Sequence, residues 1–296
     1  MPLLGGAAMY GAFLVALLAF SDVLNLPQLL GILIAATAVS LLGIWDDRRR
    51  LGPMVKLAGQ MGAAAFLAGS GTQVLLFADP LPNYVITIIW TVGITNSLNL
   101  LDNMDGLSGG VAAVASAVFL VLAILHGQYL VAILSAALLG ACLGFLRYNF
   151  NPASIFMGDG GSLFLGFILA AVGVRLRFPG QPTMITWMVP VLVLGVPLFD
   201  TLLVVVSRLR RGLNPLTTPG RDHLSHRLVA LGMTQRQSVL LIYAFCCGFG
   251  LLAITTALSG ALPAYLLLGL VILGSVGAFI RLERVDYGSP ARARAR

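Results

Sequence analysis

The chain has 296 residues, of which 58% are hydrophobic and 10% charged, with a mean hydropathy of +0.96. Soluble domains carry about 25% charged residues, so the composition excludes a water-soluble globular protein and describes an integral membrane one. The net charge of +7 is read as orientation in a bilayer, not as a nucleic-acid footprint, and no nucleic-acid partner is expected.

Closely spaced apolar runs without alternating polarity predict an all-α, polytopic membrane protein and not a β-barrel. The pattern predicts ten spans, near 3–20, 27–45, 54–70, 84–99, 107–126, 129–146, 161–177, 184–206, 238–258 and 261–280. One membrane domain over 1–284 is followed by a basic tail, 285–296, expected to be disordered and able to touch anionic lipid. The first span begins at once, without the charged n-region of a signal peptide. Cys142, Cys246 and Cys247 lie inside apolar runs and read as small buried hydrophobes, with no zinc-type spacing. His126 reads as an interfacial residue.

In chain order, the first polar cluster is Asp46-Asp47, at the end of span two and followed by three arginines. Adjacent carboxylates can bind a cation, serve as a base with a charged neighbour, or simply solvate a helix end. Carboxylates oppose the macrodipole at a helix C-terminus, which weighs against a purely structural role. Span three opens amphipathically, with Lys56 and Gln60 one turn apart. Segment 71–83 is expected to be a small extended piece or hairpin.

Asn96, Asn99, Asp102 and Asp105 follow at a strict spacing of three, before Gly106. That spacing puts them on one helical stripe until the helix breaks near Asp102. Oxygen-only ligands suit Mg²⁺, with Mn²⁺ as the alternative, and not zinc. Asn149 and Asn151 precede Phe156-Met157-Gly158-Asp159-Gly160-Gly161-Ser162 at the entrance to span seven. Glycines there let backbone approach a phosphate, and Asp159 can hold a metal or act as a simple N-cap. The last cluster, Arg221-Asp222-His223-Leu224-Ser225-His226-Arg227, can grip a diphosphate or be an ordinary basic loop.

Alternation of ten spans puts every one of these clusters on one side. Of the 18 lysines and arginines, 16 fall on that side, and Arg175 and Arg177 on the other. The positive-inside rule makes the motif face cytoplasmic.

In these segments the chain resembles the polyprenyl-phosphate N-acetylhexosamine-1-phosphate transferases. That superfamily includes the phospho-N-acetylmuramoyl-pentapeptide transferases and the undecaprenyl-phosphate N-acetylglucosamine-1-phosphate transferases. The matching segments run through nearly the whole chain: Pro2-x-x-Gly5-Gly6, Asp46-Asp47 with Lys56 and Gln60, Asn96 to Gly106, Phe156 to Ser162, and His223-x-x-His226-Arg227. The resemblance implies Mg²⁺-dependent transfer of a sugar 1-phosphate from a UDP-N-acetylhexosamine to undecaprenyl or another polyprenyl phosphate, with release of UMP, at the cytoplasmic face of the cell membrane.

By motif match, Asp159 is the implied metal ligand, with Asn99 as second contributor. Asp46 and Asp47 match the paired aspartates that act on the lipid phosphate or its proton. Asp102 and Asp105 match carboxylates lining the nucleotide site. Lys56, His223, His226 and Arg227 match positions near phosphates, and Asn96, Asn151 and Phe156 are further expected substrate contacts. A homodimer is the assembly that related enzymes suggest. The His-x-x-His-Arg pattern resembles the N-acetylglucosamine branch, whereas the pentapeptide branch usually carries three consecutive histidines. The family also places a helix ahead of its Pro-x-x-Gly-Gly segment, so the expectation is either a misassigned start or an absent first helix. An ion-coupled transporter is the competing reading, since intramembrane carboxylates are its usual mark. Here they cluster at one rim and do not line a path.

Overall fold

A computed structural model describes residues 4–19, 26–215, 217–218 and 220–285. Among the described residues the fold is entirely helical: α1 (Gly5–Ala19), α2 (Leu26–Arg49), α3 (Pro53–Gly69), α4 (Pro80–Leu101), α5 (Leu107–Leu125), α6 (Tyr129–Asn149), α7 (Gly158–Arg175), α8 (Thr183–Val193), α9 (Gly195–Arg210), α10 (Leu224–Ala230), α11 (Gln235–Leu258) and α12 (Ala261–Glu283). The expected basic tail and Pro2 lie outside the described residues, apart from Val285.

Among the described residues, seven helices are long and apolar enough to cross a membrane, or eight when α8 and α9 are counted as one span bent by 73°. The expected ten spans are therefore approximate. α1 and α3, with 15 and 17 residues, fall short of that length. The eighth expected span is broken at Leu194, after Pro190 inside α8. A proline in a helix interior removes a backbone bond and crowds the preceding turn. The 207–237 connection also holds α10, too short to announce itself as a periodic run.

Local sequence sets the helix ends. Asp79 accepts from Leu81 N (3.0 Å) and precedes Pro80, so α4 starts there. Segment 71–79 forms no strand. Instead the Asn83 side chain accepts from the Leu76 and Phe77 amides and donates to the Phe77 carbonyl, which satisfies the backbone without a partner strand. Thr234 and Gln237 form a capping box at the head of α11. α4 stops at Leu101 with Asp102 as its C-cap, as the stripe of polar residues predicts.

α7 is the central helix, buried at every position from Gly160 to Val174 and packed against α1, α2, α4, α5 and α6. Small residues let backbones approach closely in an apolar solvent. A Cβ on Gly6 would lie 2.6 Å from Gly161 Cα, one on Gly43 2.6 Å from Gly160 Cα, and one on Gly166 2.6 Å from Thr95 Cα. α12 is the opposite case: of its residues only Ala264 is buried.

Cross-links confirm that the ends alternate. One face joins Asp47 to α7, Asn99 to Asp159, and Asn151 to Gln235. The other joins Gln28 to Arg175, Gln128 to Arg177, and Gln181 to Ser259. The polar clusters singled out in the sequence share the first face.

Candidate active site

The site is built on the N-terminus of α7. Both Asp47 carboxylate oxygens are used there, Oδ1 accepting from Asp159 N (2.9 Å) and Oδ2 from Gly160 N (3.2 Å). A helix start leaves its first amides unpaired, and a carboxylate both satisfies them and complements the dipole. Gly158 precedes them with φ +68°, and a Cβ on it would lie 2.6 Å from Asp47 Oδ2. Only glycine meets both demands. The first motif of the chain supports the same turn: Gly5 N donates to Phe156 O (3.1 Å) and Gly6 N to Met157 O (3.0 Å).

Lys56, from α3, reaches the carboxylates of two other helices. Its Nζ lies 2.7 Å from Asp46 Oδ2 and also bonds Asp159 Oδ2. Asp46 Oδ1 accepts from Leu51 N, closing the turn between α2 and α3. Asn99 Nδ2 donates to Asp159 Oδ1 and to Ser162 Oγ, each at 2.9 Å. Asp46, Lys56, Asn99 and Asp159 therefore converge, and Asp47 stands behind them holding the helix.

Asp102 is half-buried beside this group. Burial, followed by the neighbouring Asp159, Asp47 and Asp105 charges, pushes its carboxyl up to about 7. Such an excess of carboxylate oxygens wants a cation. Among the described residues, no three His, Cys, Asp or Glu side chains form a ready-made metal cage. The donors still fit a hard dication. Mg²⁺ is commonly held by one or two carboxylates with substrate phosphates and water completing its shell. Asp159 and Asp46 already share one cation, the Lys56 ammonium.

Asp105 is held a few residues further along. Its Oδ2 accepts from Asn151 Nδ2 (3.0 Å) and Ala153 N (3.1 Å). Asn151 also donates to Gln235 Oε1 (2.9 Å), and Arg236 Nε donates to Asn151 O (2.9 Å). Asn149, buried, accepts from Gly106 N and donates to Ile155 O, stapling the loop before α5 to the loop before α7. Phe156 is half-buried at the entrance to α7.

Other expected contacts are committed elsewhere. Asn96 Nδ2 donates to Gln60 Oε1 (2.5 Å) and to Val92 O (2.8 Å), a polar link between α3 and α4 and not an open ligand. Arg227 was expected near phosphate, but it is wholly buried. Its guanidinium donates to Asp222 O, Ser207 Oγ, Leu282 O and Glu283 Oε2. A fully desolvated guanidinium needs such a cage, and the cage ties α10 to α9 and α12. Asp222 is likewise structural, bonded to Arg208 and Arg211. Burial alone would raise its carboxyl, but the Arg208 guanidinium outweighs this and holds it below the usual carboxylate range.

His223 and His226 are brought to the site by α10. Ser225 Oγ bonds Asn103 Oδ1 (2.6 Å), and Leu224 and Leu228 pack with Leu101, Met104 and Leu107. Burial first, then the His223 and Arg221 charges, lower the His226 imidazole below its ordinary value. One partner escaped the sequence reading. Asp200, in α9, is completely buried and lies 2.8 Å from His223 Nδ1. Its signal was present: a lone carboxylate inside an apolar run.

A bundle of membrane-length helices with a carboxylate-rich rim, charged groups from several helices and a paired imidazole defines a membrane-embedded enzyme. Residues 29–177 match the model of glycosyl transferase family 4. The chain is 36% identical over 252 residues to a probable undecaprenyl-phosphate N-acetylglucosaminyl 1-phosphate transferase of Bacillus subtilis, covering 82% of this chain and 70% of the relative. It is 36% identical over 281 residues to a decaprenyl-phosphate N-acetylglucosaminephosphotransferase of Mycolicibacterium smegmatis, covering 82% and 68%. A phospho-N-acetylmuramoyl-pentapeptide-transferase of Bacillus thuringiensis is 34% identical over 228 residues, covering 70% and 68%. The chain belongs to glycosyl transferase family 4.

Proposed function

We propose that the protein transfers N-acetylglucosamine 1-phosphate from UDP-N-acetylglucosamine to undecaprenyl or another polyprenyl phosphate at the cytoplasmic face, releasing UMP. The observation that carries this reading is the meeting of Asp46 and Asp159 on the Lys56 ammonium, beside Asn99 and Asp102. Joining two anionic phosphates demands charge neutralisation and positioning more than covalent help from the protein. The names of the Bacillus and Mycolicibacterium relatives carry the same transferred group, N-acetylglucosamine phosphate, and the same acceptor class, a polyprenyl phosphate.

In this mechanism an oxygen of the lipid phosphate attacks the phosphorus that carries the sugar, and the bond from that phosphorus to UMP breaks. Lys56 turns from its carboxylates to the phosphate oxygens. Asp46, released from Lys56, takes the proton of a singly ionised lipid phosphate. Asp47 keeps α7, and with it Asp159, in place. Mg²⁺, or Mn²⁺, held by Asp159 with Asn99, would neutralise the diphosphate when bound. Asp102 and Asp105 face the nucleotide, and His223 with His226 face the phosphates. A largely apolar cleft of about 600 Å³ between α9, α11 and α12, lined by Phe199, Phe245, Phe249 and Leu270 with Arg281 at its rim, suits the prenyl chain.

The test incubates purified protein and undecaprenyl phosphate with a panel of UDP-sugars and measures UMP. UDP-N-acetylglucosamine should be turned over fastest. Faster turnover of UDP-MurNAc-pentapeptide would move the protein to the peptidoglycan branch, and no UMP from any donor would overturn the reaction class.

A further inference from the structure

The carboxylate of Asp200 belongs to neither the metal-binding group nor the nucleotide-facing group, yet it is completely buried within α9, six residues past the break at Leu194. An uncompensated carboxylate at such a place is costly. Two donors compensate it, both from the head of α10: His223 Nδ1 at 2.8 Å from Oδ2, and Leu224 N at 2.6 Å from Oδ1. His223 is itself only 4% exposed. Among the described residues, its Nε2 has no hydrogen-bond partner.

We infer that Asp200 is a positioning residue for His223, fixing the proton on Nδ1 and the ring plane so that Nε2 alone faces the phosphates of the donor. This rests on the phosphotransfer reading above. A ring held this way has one free atom and one orientation. When a phosphate oxygen arrives at Nε2, an imidazolium can donate to it while the buried Asp200 carboxylate balances the ring charge. No covalent bond to His223 forms. The break between α8 and α9 then has a role, because it lets an intramembrane helix present a carboxylate to a rim helix. The charged and titratable groups around His223 are Asp200 from α9, and Asp222, His226 and Arg221 from its own stretch, with Arg208 and Arg211 standing behind Asp222.

The experiment compares wild type, Asp200→Asn, His223→Gln and the double variant. It measures kcat/KM for UDP-N-acetylglucosamine from pH 6 to 9, Kd for UDP by calorimetry, and thermal unfolding. Removing the carboxylate behind a functional imidazole typically costs about 10–100-fold. Asp200→Asn should therefore lose about that much kcat/KM, and its alkaline limb should move to lower pH. His223→Gln should abolish that limb. The double variant should lie within about threefold of His223→Gln, because Asp200 acts through that ring. A wild-type pH profile in Asp200→Asn, or losses that multiply in the double variant, would overturn the inference in favour of a simple α10 cap. If Asp200→Asn does not fold, Asp200→Glu is read instead: a displaced alkaline limb supports the dyad, and an unmoved one overturns it. If wild type releases no UMP, the reaction reading fails, while UDP affinity in the same four proteins still decides the dyad: Kd unmoved in His223→Gln or Asp200→Asn overturns it.

Discussion

Asp47 closes the N-terminus of α7 with both of its oxygens, so two adjacent aspartates at the end of α2 have separate jobs: Asp46 shares Lys56 with Asp159, and Asp47 holds the turn that carries Asp159. Asp47→Asn keeps one acceptor and should be milder than Asp47→Ala, which should lose about 0.5–2 kcal/mol, as other N-cap losses do. Gly158→Ala should be at least as harmful, because its φ of +68° and the nearby Asp47 oxygen both oppose a Cβ. Denaturation and UMP assays on the three variants check this. A Gly158→Ala enzyme with wild-type stability and rate would contradict it.

Asp159→Ala should abolish metal-dependent turnover and leave the fold intact. Its side chain is 30% exposed, so little packing is lost. The missing transition-state stabilisation should amount to at least several kcal/mol if the dication carries the diphosphate charge. Titrating Mg²⁺ and Mn²⁺ against activity, with unfolding measured in parallel, separates the two effects.

Arg227→Lys should behave as a stability variant. A lysine cannot serve Asp222 O, Ser207, Leu282 O and Glu283 together. Leaving buried acceptors unpaired costs about 1–3 kcal/mol. The expected result is a lowered unfolding temperature with an unchanged KM for the donor. A normal unfolding temperature combined with a raised KM would return Arg227 to the substrate.

Acid should weaken the 207–222 connection. The Asp222 carboxyl is held below its unfolded value, so the stability it contributes is fully present above pH 4 and is lost as pH falls through the folded value. Unfolding temperature should decline more steeply below pH 4 in wild type than in Asp222→Asn. Equal slopes would show that the Arg208 and Arg211 pairs contribute nothing.

Single cysteines at position 76 and in the loop just before His223 should label from opposite sides of the membrane. The 16-to-2 division of basic residues sets this expectation. Labelling from the same side would overturn the proposed orientation.

Much of this organisation was legible because a membrane magnifies polarity. Asp46, Asn99, Asp159 and Lys56 stood out against hydrocarbon, and they meet. What the sequence hid was which polar groups are already satisfied. Asn96 looks identical to Asn99 in a spacing of three, yet it is bound to Gln60 from α3. Arg227 looks like a phosphate clamp beside two histidines, but besides the nearby Asp222 carbonyl its acceptors lie on α9 and at the end of α12, far along the chain. Asp200 was passed over because it stands alone, and its partner His223 is 23 residues away. The break at Leu194 was missed because hydropathy averages over it.

The close approaches of Gly6, Gly43 and Gly166 mean that α7 is registered against its neighbours by main chain. Side-chain size hardly enters at those crossings. Substitutions at the exposed apolar positions of α1, α2 and α4, such as Val15, Leu30 and Ile89, leave those crossings untouched and should not displace Asp159 along the bundle axis. The scaffold has mutational latitude on its exposed apolar faces and almost none at these three glycines, two of which press on the turn that carries Asp159, so a random mutational library should show intolerance there.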